Sequence, residues 1–285
     1  MTKSEFAILI PHFNQPEELD GALKSCCEAM SCENAHLVVV DDASSPGTRA
    51  NIAVDKWAHR FAKVTVILNE ENLGISKSLN RGLDNITEEF FFRLDSDDRA
   101  LPSRFEEQLL WLKKGYDLVF SEALIRYEGN VISQTFSPSL SVIRRALPFQ
   151  NLLIHPTLAA RTDFFRQRGG YPDATRTAQD WAFWKLHLKD ANAIVLREPL
   201  IQLGFSLNSA SNARFKRSKN YASTLKLRTA LRHADRRSAL KAARELGLLY
   251  YFAVLAMPNP YRIRLRLRLL MFELMKTNAR QARNS

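Results

Sequence analysis

The sequence has only three cysteines, and they lie close together at Cys26, Cys27 and Cys32. No second group of cysteines is present that would complete a zinc site or a disulfide framework. This cysteine usage is typical of a protein kept in a reduced, cytoplasmic setting.

Long apolar runs and a leader pattern are also lacking. No run reaches the roughly 18 apolar residues that a membrane span requires. Residues 1–5 carry one lysine and no apolar stretch long enough for a signal peptide. We therefore expect a cytoplasmic protein that neither crosses a bilayer nor uses this export route.

Acidic residues are scarce in the last part of the chain. Residues 204–285 contain 18 Lys and Arg against 3 Asp and Glu, a balance of +15, whereas residues 1–203 hold 23 against 27, a balance of −4. The excess positive charge of +11 therefore belongs to a C-terminal extension. Such a segment can meet nucleic acid, anionic lipid or an acidic partner, and charge alone does not choose among them.

The first hundred residues alternate between apolar runs and segments with helical periodicity. Predicted buried strands are Phe6–Ile10, Leu37–Val40, Val64–Leu68 and Phe90–Leu94, and predicted helices between them include Glu17–Met30 and Thr48–Phe61. This order predicts right-handed β-α-β units and an α/β fold with a mostly parallel sheet flanked by helices. Ligands of such sheets bind beyond the carboxyl ends of the strands, so the residues after each strand are the candidates for a site.

The second hundred residues mix both kinds of element. The predicted helices are Arg104–Lys114, Thr162–Arg168 and Ala178–Leu188. The predicted strands are Asp117–Phe120, Asn151–Arg161, which is interrupted at His155-Pro156, and a hairpin of Ile125–Tyr127 with Val131–Thr135. We predict a catalytic domain over 1–205, with a nucleotide-binding part at about 1–100 and an acceptor part at about 101–205, and a basic helical extension over 206–285.

Three carboxylates, Asp95, Asp97 and Asp98, follow the fourth predicted strand. Carboxylates this close repel one another, and the usual relief is a divalent cation with oxygen ligands, Mg²⁺ or Mn²⁺, or protonation of one of the three. The alternative is a solvated acidic turn in which Asp97 or Asp98 caps the next helix.

Two further stretches each have a functional and a structural interpretation. Gly74 precedes a helical run with Lys77 and Arg81 one turn apart, which suits a diphosphate but also describes an ordinary helix N-terminus. Asp180 opens a helix as a candidate general base, with Trp181 and Trp184 beside it to pack against a sugar, or it is simply an N-cap.

Seven motifs in order resemble those of the family 2 inverting glycosyltransferases over roughly residues 5–205. They are Ile8–Asn14, Val39–Ser44, Asn72–Gly74 with Asn80–Gly82, Asp95–Asp98, His155–Thr157, Gly169–Tyr171 and Gln179–Trp181. The resemblance implies the GT-A fold, a nucleotide-diphosphate sugar as donor, most often a UDP-sugar, and a divalent metal. It is closest to enzymes that extend bacterial surface polysaccharides, O-antigens or lipopolysaccharide cores, which implies a glycan or lipid-linked acceptor.

The resemblance also implies roles for individual residues. Asp95, Asp97 and Asp98 would hold the metal, and Asp180 would deprotonate the acceptor. The donor would contact Pro11, Phe13, Asn14, Asp42, Asn72, Gly74, Lys77, Asp95 and Ser96, and the acceptor side would include His155, Gln179, Trp181 and Trp184. Two departures are Gln179, where the family usually has Glu, and Ala43, where it usually has Gly.

Two other functions remain open at this stage. A sugar nucleotidyltransferase would carry a glycine-rich loop after its first strand, and Pro11–Asn14 contains no glycine. The other alternative is a noncatalytic module that binds nucleic acid through the extension. The acidic residues at the strand ends would repel a phosphate backbone, so we expect no nucleic-acid partner.

The extension predicts contact with a membrane surface. A basic amphipathic run, 225–244, is followed by twelve apolar or small residues, 246–257, and by alternating arginines in 261–272. Such segments lie in the bilayer interface, and each arginine near an anionic surface adds about 1 kcal/mol. We expect peripheral attachment to the inner face of the cytoplasmic membrane; the alternative is that these helices pack on the catalytic domain or on a second copy in a homodimer.

Overall fold

The computed structural model describes residues 4–29, 32–127, 130–135, 137–148, 151–173 and 178–204. The predictions for the basic extension 206–285 lie outside these described residues. Within the described part of the chain, no helix is both long and apolar enough to cross a bilayer.

Four strands form the parallel part of the sheet, as predicted. They are β1 (Phe6–His12), β2 (Ala35–Asp41), β3 (Lys63–Leu68) and β4 (Phe90–Arg93). β1 lies between β2 and β4 and is parallel to both, and β3 pairs with the outer side of β2. Every residue of β1 and β2 is buried, because both faces of this part of the sheet are covered.

Three helices connect these strands: α1 (Pro16–Ala29), α2 (Asn51–Trp57) and α3 (Ile75–Asp84). α2 is shorter than predicted, because 3₁₀ turns at Pro46–Thr48 and Ala58–Arg60 flank it. α3 packs unusually close to the sheet at Gly82, where a Cβ atom would lie 2.2 Å from the Leu9 Cδ1 atom.

The second half of the described chain extends the sheet. Its elements are β5 (Arg99–Ala100), α4 (Arg104–Lys113), β6 (Leu118–Tyr127), β7 (Asn130–Gln134), α5 (Leu140–Ala146), β8 (Ala159–Arg161), α6 (Thr162–Arg166), α7 (Gln179–His187) and β9 (Ala193–Gly204). The sheet runs β3-β2-β1-β4-β8-β6-β9-β5, with β7 beside β6. β8 is antiparallel to both β4 and β6, so the sheet is mixed.

Sequence reasoning was less accurate in this half. The β6–β7 hairpin is confirmed, and so is the break at His155-Pro156, where residues His155–Thr157 form a 3₁₀ turn. The predicted strand segment before this break is wrong, because β8 begins only at Ala159. The strand β9 was not predicted. It contains Pro199, which argues against a strand in sequence, and the structure accommodates it where the β6–β9 register shifts at Glu122.

Apolar side chains fill both sides of the sheet. Alternate residues of β4 serve opposite sides: Phe92 packs with Phe6 and Phe105, whereas Phe91 packs with Phe165. The carboxyl ends of β1, β2 and β4 lie at one edge of the sheet. The loops that follow these ends are therefore brought together.

Candidate active site

An acidic cluster follows β4 at this edge. Asp95, Asp97 and Asp98 can each offer a carboxylate oxygen so that all three lie within 4.8 Å of one another. Burial and the charge of Asp95 raise the pKa of Asp97 to about 6, and the pKa of the buried Asp98 is raised well above its usual range by burial and by both neighbouring carboxylates. Hard oxygen ligands that repel one another are the donor set that Mg²⁺ and Mn²⁺ prefer, so these residues fit a divalent cation.

Asp98 differs from its neighbours because one of its oxygens is committed to the fold. Its Oδ1 atom accepts a hydrogen bond of 2.7 Å from the backbone N–H of Gly204, at the end of β9. A Cβ atom on Gly204 would lie 2.2 Å from the Asp97 carbonyl oxygen, so glycine is required for this approach. The Asp98 Oδ2 atom is buried and has no hydrogen-bond partner among the described residues, which suits a metal ligand.

Arginines hold the acidic loop from several sides. Arg93 donates to the Asp95 carboxylate, Arg99 donates to the Asp98 carbonyl oxygen at 2.9 Å, and Arg126 donates to the Asp97 carbonyl oxygen at 2.9 Å. Their positive charge offsets part of the carboxylate repulsion. The alternative of a helix-capping turn is wrong, because Ser103 is the residue that precedes α4.

The carboxylate of Asp42 is engaged by the protein itself. It accepts hydrogen bonds from the backbone N–H groups of Leu73 and Gly74 at 2.8 and 2.9 Å and from the Asn69 amide at 2.7 Å. Asn72 adds a hydrogen bond of 3.2 Å to the Asp42 carbonyl oxygen. Asp42 thus holds the loop after β3 against the end of β2, and its contact with a nucleotide base stays a prediction.

The loop after β1 is fastened to the loop after β2. Asn14, which has a positive φ of 56°, accepts hydrogen bonds at its side-chain oxygen from the Ser45 N–H and the Thr48 hydroxyl. Pro11 is buried within β1, whereas Phe13 is 47% exposed beside it. The exposed ring of Phe13 leaves a flat apolar surface at the same edge as the acidic cluster.

The other predicted donor residues lie at the start of α3 and in the acidic loop. Gly74 adopts a φ of 83° just before α3, and Lys77 is exposed on the first turn. The guanidinium of Arg81 is engaged by the protein, because it donates a hydrogen bond to the Asn69 side-chain oxygen. Ser96, which lies between Asp95 and Asp97 in the sequence, is buried.

A cleft opens at the carboxyl ends of β2 and β3. Its lining includes Asp41, Ala43, Ser44, Arg49, Leu68, Asn69 and Glu70. None of these seven residues has an individual role in the sequence-based predictions, although Asp41, Ala43 and Ser44 belong to the Val39–Ser44 motif. Asn69 could have been noticed, because it directly follows a predicted strand.

Asp180 lies in the first turn of α7. The residue that precedes this helix is Ala178, with a positive φ of 64°, so Asp180 is not the N-cap. Its Oδ2 atom accepts a hydrogen bond of 2.7 Å from the Asn151 side-chain amide. Asn151 was not singled out in the sequence, although it stands four residues before the His-Pro-Thr motif.

The predicted acceptor-side residues differ in their surroundings. Trp184 has no exposed surface and packs in the core against Phe120, which argues against the sugar-stacking role predicted for it. Trp181 is half-buried, and its Nε1 atom donates to the Leu147 carbonyl oxygen at 2.8 Å. Gln179 is buried.

His155 is buried and is hydrogen-bonded to another side chain. Its Nε2 atom lies 2.8 Å from the Tyr171 hydroxyl, and burial, with the nearby positive charge of Arg93, holds its pKa well below the usual range. His155 is therefore a neutral, structurally paired histidine, and a direct contact with an acceptor stays a prediction.

The buried phenol of Tyr171 has two carboxylates in its electrostatic surroundings. Burial raises the pKa of its phenol, the charge of Arg93 opposes this rise, and the carboxylates of Asp180 and Asp95 add to it. Both carboxylates therefore lie within electrostatic reach of one buried group. Hydrogen bonds also connect the two through residues 151–158, because Asn151 donates to Asp180 and the Leu158 carbonyl oxygen accepts from the Arg93 N–H, two residues before Asp95.

The model of glycosyl transferase family 2 matches residues 7–169 of the chain. The amylovoran biosynthesis glycosyltransferase AmsE of Erwinia amylovora is 34% identical over 122 residues, which are 42% of this chain and 45% of AmsE. The matched region thus spans less than half of that relative.

Two solved structures share the fold. S. aureus TarS in complex with UDP-GlcNAc is 20% identical with a TM-score of 0.60, over 72% of this chain and 60% of that one. The mannosyltransferase PcManGT from Pyrobaculum calidifontis, in complex with GDP-Man and Mn²⁺, is 19% identical with a TM-score of 0.58, over 98% of this chain and 88% of that one. The fold is thus the predicted GT-A type, a mostly parallel sheet flanked by helices. With the family model matching more than half of its length, the chain belongs to glycosyl transferase family 2.

Proposed function

We propose that this protein is an inverting, metal-dependent glycosyltransferase of surface polysaccharide synthesis. It moves a sugar from a nucleotide-diphosphate sugar, a UDP-sugar, to a glycan or lipid-linked glycan. The observation that carries this proposal is the acidic cluster after β4, where Asp95, Asp97 and Asp98 can bring carboxylate oxygens within 4.8 Å of one another, in a chain that belongs to glycosyl transferase family 2.

Asp95, Asp97 and Asp98 would hold the divalent ion, Mn²⁺ or Mg²⁺. When bound, the ion supplies Lewis acidity to the departing diphosphate. The unpartnered Asp98 Oδ2 atom and the raised pKa values in the cluster support this assignment. The Mn²⁺ in the PcManGT complex supports it independently.

The donor would occupy the edge formed by the loops after β1, β2 and β3. The exposed Phe13 ring offers a surface for a flat base, and Gly74 and Lys77 at the start of α3 suit phosphate oxygens. UDP-GlcNAc in the TarS complex supports a UDP-sugar as donor.

Asp180 would act as the general base. It takes the proton of the acceptor hydroxyl while that oxygen bonds to the anomeric carbon and the bond to the diphosphate breaks. One displacement from the opposite face inverts the configuration. The fixed position of Asp180 on a helix turn suits this role, because a base must be held within hydrogen-bond reach of the proton.

The acceptor is a growing glycan, free or lipid-linked. The name of AmsE as an amylovoran biosynthesis enzyme supports glycan assembly. The basic extension 206–285 would bring the site to a lipid-linked acceptor at the inner face of the cytoplasmic membrane. Its charge balance, +15 over residues 204–285, supports attraction to anionic lipid.

The test compares two variants that should fail at different steps. Asp97→Asn should weaken Mn²⁺-dependent UDP binding by at least tenfold, because it removes a charged ligand, and should also abolish transfer. Asp180→Asn should bind UDP with Mn²⁺ normally but lower turnover by at least 100-fold, because the base is lost. Calorimetry measures binding, and UDP release from a panel of UDP-sugars with glycan acceptors measures turnover.

Asp190→Asn is the matched control, since Asp190 is an exposed carboxylate that contacts only the exposed Lys189 among the described ion pairs. It should behave as the wild type in both assays. Normal turnover by the Asp180→Asn protein would refute the base assignment, and metal-independent UDP binding by the wild type would refute the metal site.

A further inference from the structure

We infer that Asn151 is a positioning residue that fixes the carboxylate of Asp180 relative to the donor site. The inference rests on the proposed function, in which Asp180 is the base. Asn151 would act through Asp180, not on the substrate itself.

The contact between the two side chains has a defined direction. The Asn151 Nδ2 atom donates to Asp180 Oδ2 at 2.7 Å, and the Asn151 Oδ1 atom accepts from the Leu153 N–H at 3.1 Å. The second hydrogen bond fixes which end of the amide faces the carboxylate, because only the oxygen can accept from a backbone N–H. The amide nitrogen must therefore point at Asp180.

This hydrogen bond restricts rotation of the carboxylate. With Oδ2 engaged by the amide, the orientation of Oδ1 is set as well. A base that is held in one orientation is already aligned with the acceptor proton. Small misplacements of catalytic groups lower the reaction rate by large factors. The side chain of Asn151 is itself half-buried, so its own freedom is limited.

The segment that begins at Asn151 is also hydrogen-bonded, at Pro156 and Leu158, to residues next to the acidic loop. Arg104 donates both to the Pro156 carbonyl oxygen at 2.9 Å and to the carbonyl oxygen of Arg93, two residues before Asp95. The Arg93 N–H donates to the Leu158 carbonyl oxygen at 2.9 Å. Residues 151–158 therefore link Asp180 at one end to the strand that carries the acidic cluster at the other.

A purely structural role would predict a different outcome. The docking of α7 on this region has its own hydrogen bond, from Trp181 Nε1 to the Leu147 carbonyl oxygen, and the buried Phe183 and Trp184 pack below it. Loss of the Asn151 amide should therefore leave the helix in place. Loss of the amide should lower turnover and should leave stability and donor binding unchanged.

The experiment uses the full chain with Asn151→Ala and Asn151→Asp. Asn151→Asp keeps the oxygen that accepts from Leu153 but replaces the donor by a carboxylate whose negative charge repels Asp180, so it tests loss of the donor together with this repulsion, whereas Asn151→Ala removes the side-chain amide altogether. If Asn151→Ala fails to fold, an unchanged kcat in Asn151→Asp still refutes the positioning role. Both variants should lower kcat by about 10- to 100-fold. The Kd for UDP with Mn²⁺ and the KM for the donor should stay within twofold of the wild type.

Asn192→Ala is the matched control, because the Asn192 amide makes a comparable hydrogen bond of 3.0 Å to a backbone carbonyl, that of Gly115, on the exposed surface. It should leave kcat unchanged. In a double variant, Asn151→Ala with Asp180→Asn should turn over no more slowly than Asp180→Asn alone, because the amide acts only through the carboxylate.

The outcomes separate this inference from the proposed function. If Asp180→Asn is inactive while both Asn151 variants keep wild-type kcat, the positioning role is refuted and the base assignment stands. A further loss in the double variant, or weakened donor binding in both Asn151 variants, also refutes the positioning role. If Asp180→Asn turns over normally, both proposals fail.

Discussion

His36 and Glu88 form a buried pair at the amino ends of β2 and β4, away from the acidic cluster. The His36 Nδ1 atom lies 2.9 Å from a Glu88 carboxylate oxygen, and its Nε2 atom lies 2.9 Å from the Thr65 hydroxyl. Burial lowers the pKa of His36 despite the nearby carboxylate. The imidazole is therefore neutral and bridges two strands and a loop.

This pair predicts a loss of stability in mild acid. The pKa of His36 is below its ordinary 6.5 in the folded protein, so the unfolded chain binds the proton first and the free energy of unfolding falls as the pH drops below about 6.5. Burial raises the pKa of Glu88, but hydrogen bonds from Ser4 and His36 outweigh it and leave the pKa below 4.5. Glu88 therefore adds a second loss below about pH 4.5.

Urea unfolding of the wild type and His36→Gln between pH 5 and 8 measures this effect. The variant should show a shallower dependence below pH 6.5, because glutamine does not titrate. The dependence that remains comes from His155 and His187, whose pKa values are also lowered, and is opposed by Asp97 and Asp98, whose pKa values are raised. His59→Gln, at an exposed position, should retain the wild-type slope. Equal slopes for His36→Gln and the wild type would contradict the assignment.

At the scale of elements, the Asn80–Gly82 motif of α3 makes contacts that are structural. Asn80 accepts from the Tyr171 N–H and donates to the Tyr171 carbonyl oxygen, both at 2.8 Å. Arg81 contacts Asn69, and Gly82 lets the helix approach β1. The Asn80–Gly82 motif thus ties the helix to two loops and to the sheet.

Gly82→Ala should destabilise the protein by roughly 1 kcal/mol. The added Cβ atom would lie 2.2 Å from Leu9 Cδ1 and 3.1 Å from Val40 Cγ2, and both side chains are fully buried, so the clash forces core movement that costs about 1–3 kcal/mol. The better helix propensity of alanine returns at most about 1 kcal/mol. Chemical denaturation measures the difference.

Gly47→Ala is the control for this substitution, because no atom lies within 4 Å of a Cβ atom placed there. Its effect should stay within about 0.5 kcal/mol, as for most surface changes. A Gly82→Ala protein as stable as the wild type would show that α3 can shift away from the sheet without cost.

At the scale of the whole molecule, charge is divided between a slightly acidic catalytic part and a strongly basic extension. If the extension binds anionic membrane, the full chain should float with phosphatidylglycerol vesicles and not with phosphatidylcholine vesicles. Replacing Arg262, Arg264, Arg266 and Arg268 by Gln should lower the bound fraction at least tenfold, since each arginine contributes about 1 kcal/mol. Equal flotation with both lipids would exclude the electrostatic mechanism.

The parallel part of the sheet was predictable because its signals are local. The apolar runs of β1 to β4 are buried on both faces, so each is recognisable without knowledge of its neighbours. β9 was missed because Pro199 argues against a strand, and only the shifted register with β6 explains how it pairs. The sugar-stacking role predicted for Trp184 was wrong, because the position of a residue in a helix does not show whether its side chain faces the core.

The sequence by itself determined the order of strands and helices in the first hundred residues, the acidic cluster after β4 and the family resemblance, since each depends on residues that are neighbours along the chain. The tertiary structure decided which polar groups meet. The hydrogen bonds of Asn151 with Asp180, Gly204 with Asp98 and Leu73 with Asp42 join residues 29, 106 and 31 positions apart. Such pairs form only when packing of the sheet brings distant loops to one edge, so no local pattern reveals them.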